Sequence, residues 1–207
     1  MNWLTQLRKK SMATSKTNTV KVRLDEGASL PEQAHPQDVG FDIKSISCEY
    51  DVDTDTYIYH TGLYVETKEA DDITHSLYLF PRSSNCKKEC YLANSVGIVD
   101  SDIYRGEIQA RFKNRTSLEV MIQLETLKQM VRSVAFGGFI ISYDDMYNAV
   151  KKEFISKAKR LEFAPYEVGD RCAQLVFAEE TKPVFKAAKK LNEKTDRGTG
   201  GFGDSGK

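Results

Sequence analysis

The sequence predicts an all-β core carrying an α-helical insertion. Short stretches of alternating apolar and polar residues, punctuated by Asp, Gly and Pro, fill the first half. Helical periodicity takes over between about residues 115 and 162, and strand character then returns at 171–177. Many short strands joined by turns make a sandwich or a barrel.

Residues 1–18, rich in Lys, Ser, Thr and Asn, read as a flexible leader, with Met12 an alternative start. Thr-Val-Lys-Val-Arg-Leu over 19–24 alternates, as do Tyr57-Ile-Tyr-His60, Ser76-Leu-Tyr-Leu-Phe80 and Gly106-Glu-Ile-Gln-Ala-Arg-Phe112. Asp25-Glu-Gly27 and Pro36-Gln-Asp38 are turn sequences. Val120, Leu124, Leu127, Val131 and Val134 then recur at helical spacing, and so do Tyr147, Val150, Phe154, Ala158 and Leu161. Gly137-Gly138 separates the two helices, and Ser142-Tyr-Asp-Asp145 is a capping box with Asp in place of Glu or Gln. Both apolar stripes are expected to pack on each other and on the sheet rather than to serve a partner. Arg171-Cys-Ala-Gln-Leu-Val-Phe177 is a strand, and 195–207, with five glycines and one Phe, reads as a mobile tail.

At 207 residues the chain suits one domain with an insertion. Thirty Lys and Arg balance thirty Asp and Glu, so no overall basic charge points to nucleic acid. No apolar run reaches membrane-spanning length and Met1 to Lys10 is too polar for a signal core, so the expectation is a soluble cytoplasmic protein. Cys48, Cys86, Cys90 and Cys172, with His35, His60 and His75, show no paired ligand spacing and read as reduced thiols without a metal cage.

Three segments carry chemistry. In Gly97-Ile-Val-Asp100-Ser-Asp102-Ile-Tyr104-Arg-Gly106-Glu107, Ile98 and Val99 are expected in a core, placing Asp100 at the strand end as a candidate general base. An ordinary Asp-Ser-Asp turn is the alternative. Phe80-Pro-Arg-Ser-Ser84 offers a guanidinium and hydroxyls to a phosphate. In Arg197-Gly-Thr-Gly-Gly-Phe-Gly-Asp-Ser-Gly206, glycines let backbone amides approach phosphates and Phe202 is available to stack on a planar ligand; a solvated tail is the competing reading.

In order along the chain, these segments resemble the trimeric dUTPase family. Asp38-Val-Gly40-Phe-Asp42-Ile is similar to its first motif and Pro81-Arg-Ser83 to its second, with Ser84 where Gly is usual. Leu92-Ala-Asn94-Ser-Val-Gly97-Ile-Val-Asp100 resembles the third, Gly169-Asp-Arg-Cys-Ala-Gln174-Leu the fourth, and Arg197 to Gly206 the fifth. The resemblance implies a dUTPase domain over residues 19–207 with a jelly-roll-like core, a homotrimer with shared sites, dUTP as substrate, and Mg²⁺ as cofactor. It assigns Asp100 as base and Arg82, Ser83, Ser84 and Arg197 to the phosphates. Asn94 and the backbone of Gly97, Ile98 and Val99 would read the base, with Phe202 and Gly203 closing over it. Tyr104 would lie on the sugar, Gln109 give backbone contacts, and Gln174 hold the phosphate chain or its metal. Asp42 would reach the metal through water.

One departure stands out. Four steps, not three, separate Asp100 from Tyr104, because Ile103 intervenes. Either a bulge restores Tyr104, the preferred reading, or Ile103 packs on the sugar, and Asp102 is the fallback base. Two rivals remain: a dCTP deaminase, disfavoured by Arg111 where that family has its catalytic Glu, and a dUTPase-like regulator binding a protein through the insertion.

Overall fold

The computed structural model describes residues 20–67, 74–100, 103–135, 141–180 and 186–187. Among them are strands β1 (Lys21–Leu24), β2 (Phe41–Lys44), β3 (Ser47–Asp51), β4 (Thr56–His60) and β5 (Leu63–Glu66). These are followed by β6 (Thr74–Pro81), β7 (Cys90–Leu92), β8 (Gly97–Val99), β9 (Gln109–Asn114) and β10 (Arg171–Glu180). Helices α1 (Leu118–Ala135) and α2 (Tyr143–Lys159) lie between β9 and β10. The strands form two four-stranded sheets, β2-β10-β6-β8 and β3-β4-β9-β7, and a β1-β5 ribbon, all paired antiparallel. The expected β core with a helical insertion is what the chain adopts.

Inward-facing residues of both large sheets build the core, with Leu77, Leu175, Tyr59 and Phe112 fully buried. Tyr166, just after the insertion, completes an aromatic cluster with Tyr59 and Phe112, its ring 5.9 Å and 5.1 Å from theirs. The buried Tyr59 hydroxyl donates to the Tyr166 carbonyl at 2.8 Å and accepts from its N–H at 2.9 Å, so no polar group there is unpaired.

The insertion follows the sequence at its cap and departs from it on one face. Ser142 Oγ accepts from Asp145 N–H and donates to the Asp145 carboxylate, and Leu118 N–H at the start of α1 is capped by Asp55 Oδ2 at 3.2 Å. The α2 stripe packs as expected, with Val150 and Ala158 buried and Phe154 partly so. The α1 stripe does not: Val120, Leu124, Leu127, Val131 and Val134 are 43–70% exposed. The opposite face, Leu118, Ile122 and Thr126, is buried instead. Thr126 can enter because its hydroxyl returns to the Ile122 carbonyl at 2.8 Å.

What matters for function is register. On β10, Gln174 stands opposite Asp42 of β2 and opposite Phe80 of β6. On the other side of β6, Leu79 stands opposite Gly97. Four segments far apart in sequence therefore meet at one end of one sheet.

Candidate active site

Between β7 and β8 the chain makes a tight turn: Ser95 adopts φ 61° and its N–H binds the Leu92 carbonyl at 2.8 Å. The turn presses Asn94 against Gly97, where a Cβ would lie 3.0 Å from Leu79 Cβ and 3.4 Å from Asn94 Nδ2. Asn94, Gly97, Ile98, Val99, Asp100 and Tyr104 line one cavity of ≈ 540 Å³. Ile98 was expected in the core but is 71% exposed. Its partner Tyr78 and Phe80 share the outer face of the sheet, so period-2 alternation sends Ile98 outward and leaves Gly97 and Val99 facing in.

After β8 the Asp100 carbonyl accepts from both Ile103 N–H at 2.9 Å and Tyr104 N–H at 2.6 Å. These two bonds bring Tyr104 back beside Asp100. Ile103 is 77% exposed, outside the cavity, whereas Tyr104 lines it beside Asp100. The Tyr104 hydroxyl donates to the Glu107 carbonyl at 3.1 Å, which folds the ring back over Gly106. A Cβ on Gly106 would overlap the ring, 2.8 Å from Cε2 and nearer still to Cζ and Oη. Glycine is what permits that seat.

The cavity wall also includes residues not foreseen from sequence: Thr54, Thr56, Glu107, Arg111 and Lys113. Glu107 is the hub. Its carboxylate accepts from Gly62 N–H at 2.8 Å and from Gln109 Nε2 at 3.1 Å, and meets His60 Nδ1 at 2.8 Å. Burial alone would raise its pKa, but these hydrogen bonds and the His60 charge outweigh it and hold Glu107 below the usual carboxylate value. Gln109 Oε1 in turn accepts from Arg111 at 3.0 Å, so the Gln109 side chain is engaged as well as its backbone. Alternation along β9 was the available signal, since Arg111 and Lys113 share the face of Gln109 while Ala110 and Phe112 are buried.

A second cavity, ≈ 400 Å³, is lined by Asp38, Gly40, Asp42, Arg82, Ser83 and Gln174, among others. Arg82 Nε and NH2 bind Asp42 Oδ1 and Oδ2 at 2.7 and 2.9 Å, a bidentate fork, and NH1 reaches the Arg171 carbonyl at 3.3 Å. Arg171 also approaches Asp42 at 3.4 Å. Gln174 donates to the Pro81 carbonyl at 3.1 Å, leaving its Oε1 over Gly40, where any Cβ would collide with it. Ser84 turns instead to a neighbouring recess of ≈ 270 Å³ with Arg82, Lys88 and Arg171. The short 3-10 turn Ser83–Lys87 is anchored by Asn85, which holds the Cys90 carbonyl and the Tyr166 hydroxyl.

Arg197, Phe202 and Gly203 lie outside the described residues, as do Ser101 and the fallback base Asp102. Among the described residues, no group of three or more His, Cys, Asp or Glu could hold a metal ion, and no helix is long and apolar enough to cross a membrane.

Comparison with known proteins bears on the fold and the family. The dUTPase family model matches residues 26–128. The deoxyuridine 5′-triphosphate nucleotidohydrolase of Lactococcus lactis is 30% identical over 127 residues, covering 58% of this chain and 79% of that protein. The Shewanella halifaxensis protein of the same name is 28% identical over 180 residues, covering 86% of each. A solved dUTPase of Staphylococcus bacteriophage 80alpha, in complex with dUpNHpp, shares the fold with a TM-score of 0.58 at 22% identity, covering 92% of this chain and 99% of that one. The chain belongs to the dUTPase family.

Proposed function

We propose that this protein hydrolyses dUTP to dUMP and pyrophosphate, which keeps uracil out of DNA. The observation that carries the reading is the convergence of Asn94, the Gly97–Val99 strand, Asp100 and Tyr104 on one nucleoside-sized cavity. Membership of the dUTPase family supplies the reaction class. Asp100 takes a proton from water, the water oxygen attacks the α-phosphorus, and the bond to the pyrophosphate oxygen breaks. Because a carboxylate is a weak base, holding the water in line supplies much of the acceleration. Tyr104 covers the sugar and disfavours a 2′-hydroxyl by contact. Asn94 and the strand backbone receive the base.

Arg82 and Ser83 receive the phosphates, with Ser84 at the margin and the tail residues Arg197, Phe202 and Gly203 closing the site. Hard oxygen donors face that cavity: Gln174 Oε1, and an Asp42 carboxylate already shared with two arginines. Such a set suits the waters of a phosphate-bound Mg²⁺ rather than a bare ion. When bound there, Mg²⁺ would neutralise charge on the triphosphate.

The two cavities share no lining residue. Val39 at one and Ile98 at the other are 75% and 71% exposed, apolar side chains of the kind a covering chain would bury. Both features support a homotrimer with shared sites. Four free cysteines suit a reducing cytoplasm. Product analysis with dUTP, UTP, dTTP and dCTP under Mg²⁺ tests the activity: dUMP and pyrophosphate from dUTP are expected, and ammonia from dCTP would favour deamination instead. Mixing Asp100→Asn chains with tail-deleted chains tests sharing, with recovered turnover expected. A second role, binding a protein through the insertion, is favoured by the exposed α1 stripe; deleting the insertion would then abolish partner binding and leave hydrolysis.

A further inference from the structure

The polar wall of the larger cavity contains a chain of contacts that substrate chemistry alone does not explain. It runs from Arg111 to Gln109 at 3.0 Å, from Gln109 to Glu107 at 3.1 Å, and from Glu107 to His60 and the Gly62 N–H at 2.8 Å each. Each link fixes the next. Glu107, with its carboxylate accepting on both oxygens, dictates which end of the Gln109 carboxamide faces it. Nε2 points to Glu107 and Oε1 is therefore aimed at Arg111. An otherwise long and mobile arginine on the exposed face of β9 is thereby held within the cavity.

Its backbone lies beside the turn that carries Asn94. The Arg111 carbonyl accepts from Ala93 N–H at 2.8 Å, so Arg111 is the immediate cross-strand neighbour of the Asn94 turn. Beside the fixed backbone groups of Gly97–Val99, the Asn94 carboxamide adds little discrimination of its own, because it presents a donor or an acceptor by rotating half a turn. Arginine has five N–H donors and no acceptor. Uracil offers a carbonyl at C4, where cytosine carries an amino group. A fixed donor accepts the first and confronts the second with a donor of like polarity.

We propose that Arg111, aligned by the Gln109–Glu107–His60 chain, is a specificity-determining residue that reads a carbonyl of the pyrimidine and rejects cytosine. Gln109 and Glu107 are positioning residues, acting through Arg111. The proposal rests on the dUTP reading, and the test separates the two.

Binding of dUMP, dCMP and UMP to the full chain is measured by calorimetry, beside turnover of dUTP. A hydrogen bond from a charged donor is worth enough that Arg111→Ala should cut the dUMP:dCMP affinity ratio by about tenfold or more, while the dUMP:UMP ratio moves less than about twofold. Arg111→Lys, which keeps a donor, should recover part of the ratio. Gln109→Ala should lower it by a smaller factor. An unchanged dUMP:dCMP ratio in Arg111→Ala overturns the proposal, and so does an equal loss for dUMP and dCMP, the pattern of an arginine that binds phosphate. Absence of dUTP turnover in the wild type would sink the hydrolase reading alone, since the affinity ratios are read without it.

Discussion

Gly106→Ala separates the fit of the substrate from the stability of the fold. Gly106 does not adopt a positive φ, so alanine is compatible with its backbone. The obstacle is the Tyr104 ring, whose Cε2 would lie 2.8 Å from the new methyl group, with Cζ and Oη closer. Tyr104 is 45% exposed and can swing aside, losing its 3.1 Å bond to the Glu107 carbonyl. At such exposure that bond is worth at most about 0.5–1 kcal/mol. Removing a loop glycine returns about 0.4–1 kcal/mol by restricting the unfolded chain. The two nearly cancel, so the urea midpoint should hardly move. The displaced ring, however, no longer presses on the sugar, and a contact that excludes one small group is worth about 1–3 kcal/mol, tenfold or more in selectivity. The assay is kcat/KM for dUTP and UTP on wild type and variant. A dUTP:UTP ratio that stays within about twofold, with the fold intact, would refute the role given to Tyr104.

The other perturbations are simpler. Asp100→Asn should lower kcat about 10²- to 10⁴-fold while calorimetric binding of a non-hydrolysable dUTP analogue persists; retained turnover would remove Asp100 from the mechanism. Asp42→Asn should release the Arg82 fork, whose partners are 11% and 27% exposed, costing about 1–3 kcal/mol in urea unfolding and raising KM for dUTP. Glu107 is held below its ordinary carboxyl value of 4.5, so it stabilises the folded state above that pH, and the contribution fades as pH falls through the lower folded value. Urea midpoints followed from neutral pH into that acid range should fall less steeply in Glu107→Gln than in wild type. Leu124→Gln with Leu127→Gln, on the exposed α1 face, should shift stability by less than about 1 kcal/mol; a loss of about 2–5 kcal/mol per site would mean that the stripe is packed after all.

Strands with clear alternation were legible in the sequence: β4, β6 and β10 lie where the pattern placed them, and β9 begins three residues later than the alternation from Gly106 implied. The three-residue strand β7 was not, because it exists through its partner, with Leu92 opposite Phe112 of β9, whereas β8 was read from Ile98-Val99 as the strand that ends at Asp100. The helical period showed that α1 has an apolar face without showing which face is buried. The longer stripe, Val120 to Val134, faces solvent, and the shorter Leu118-Ile122-Thr126 row packs. Motif residues flanking Asp100 could be named in advance, but the Asp42–Arg82 fork joins residues forty apart in sequence and depends on the register of β10. The Glu107 hub was hidden for the same reason, its partners coming from β4, the following turn and β9.

That fork changes what the phosphate end requires. Arg82 spends three of its five N–H donors on Asp42 and on the Arg171 carbonyl, leaving two for a ligand. One carboxylate, Asp42, and two guanidinium groups, Arg82 and Arg171, leave the cluster one positive charge in net, far short of a triphosphate. The pair is thus a rigid donor array more than a charge sink, and under the proposed function the balance would fall to Mg²⁺ and the tail arginine, Arg197. The base end as proposed would, by contrast, use Asn94, backbone groups and the Arg111 chain, with no call on a metal. Chelation should therefore weaken binding of a non-hydrolysable dUTP analogue at least tenfold, about 1.4 kcal/mol, and leave dUMP binding by calorimetry nearly untouched. Equal losses for both ligands would show that the metal supports the nucleoside cavity itself, and the division of labour between the two cavities would fail.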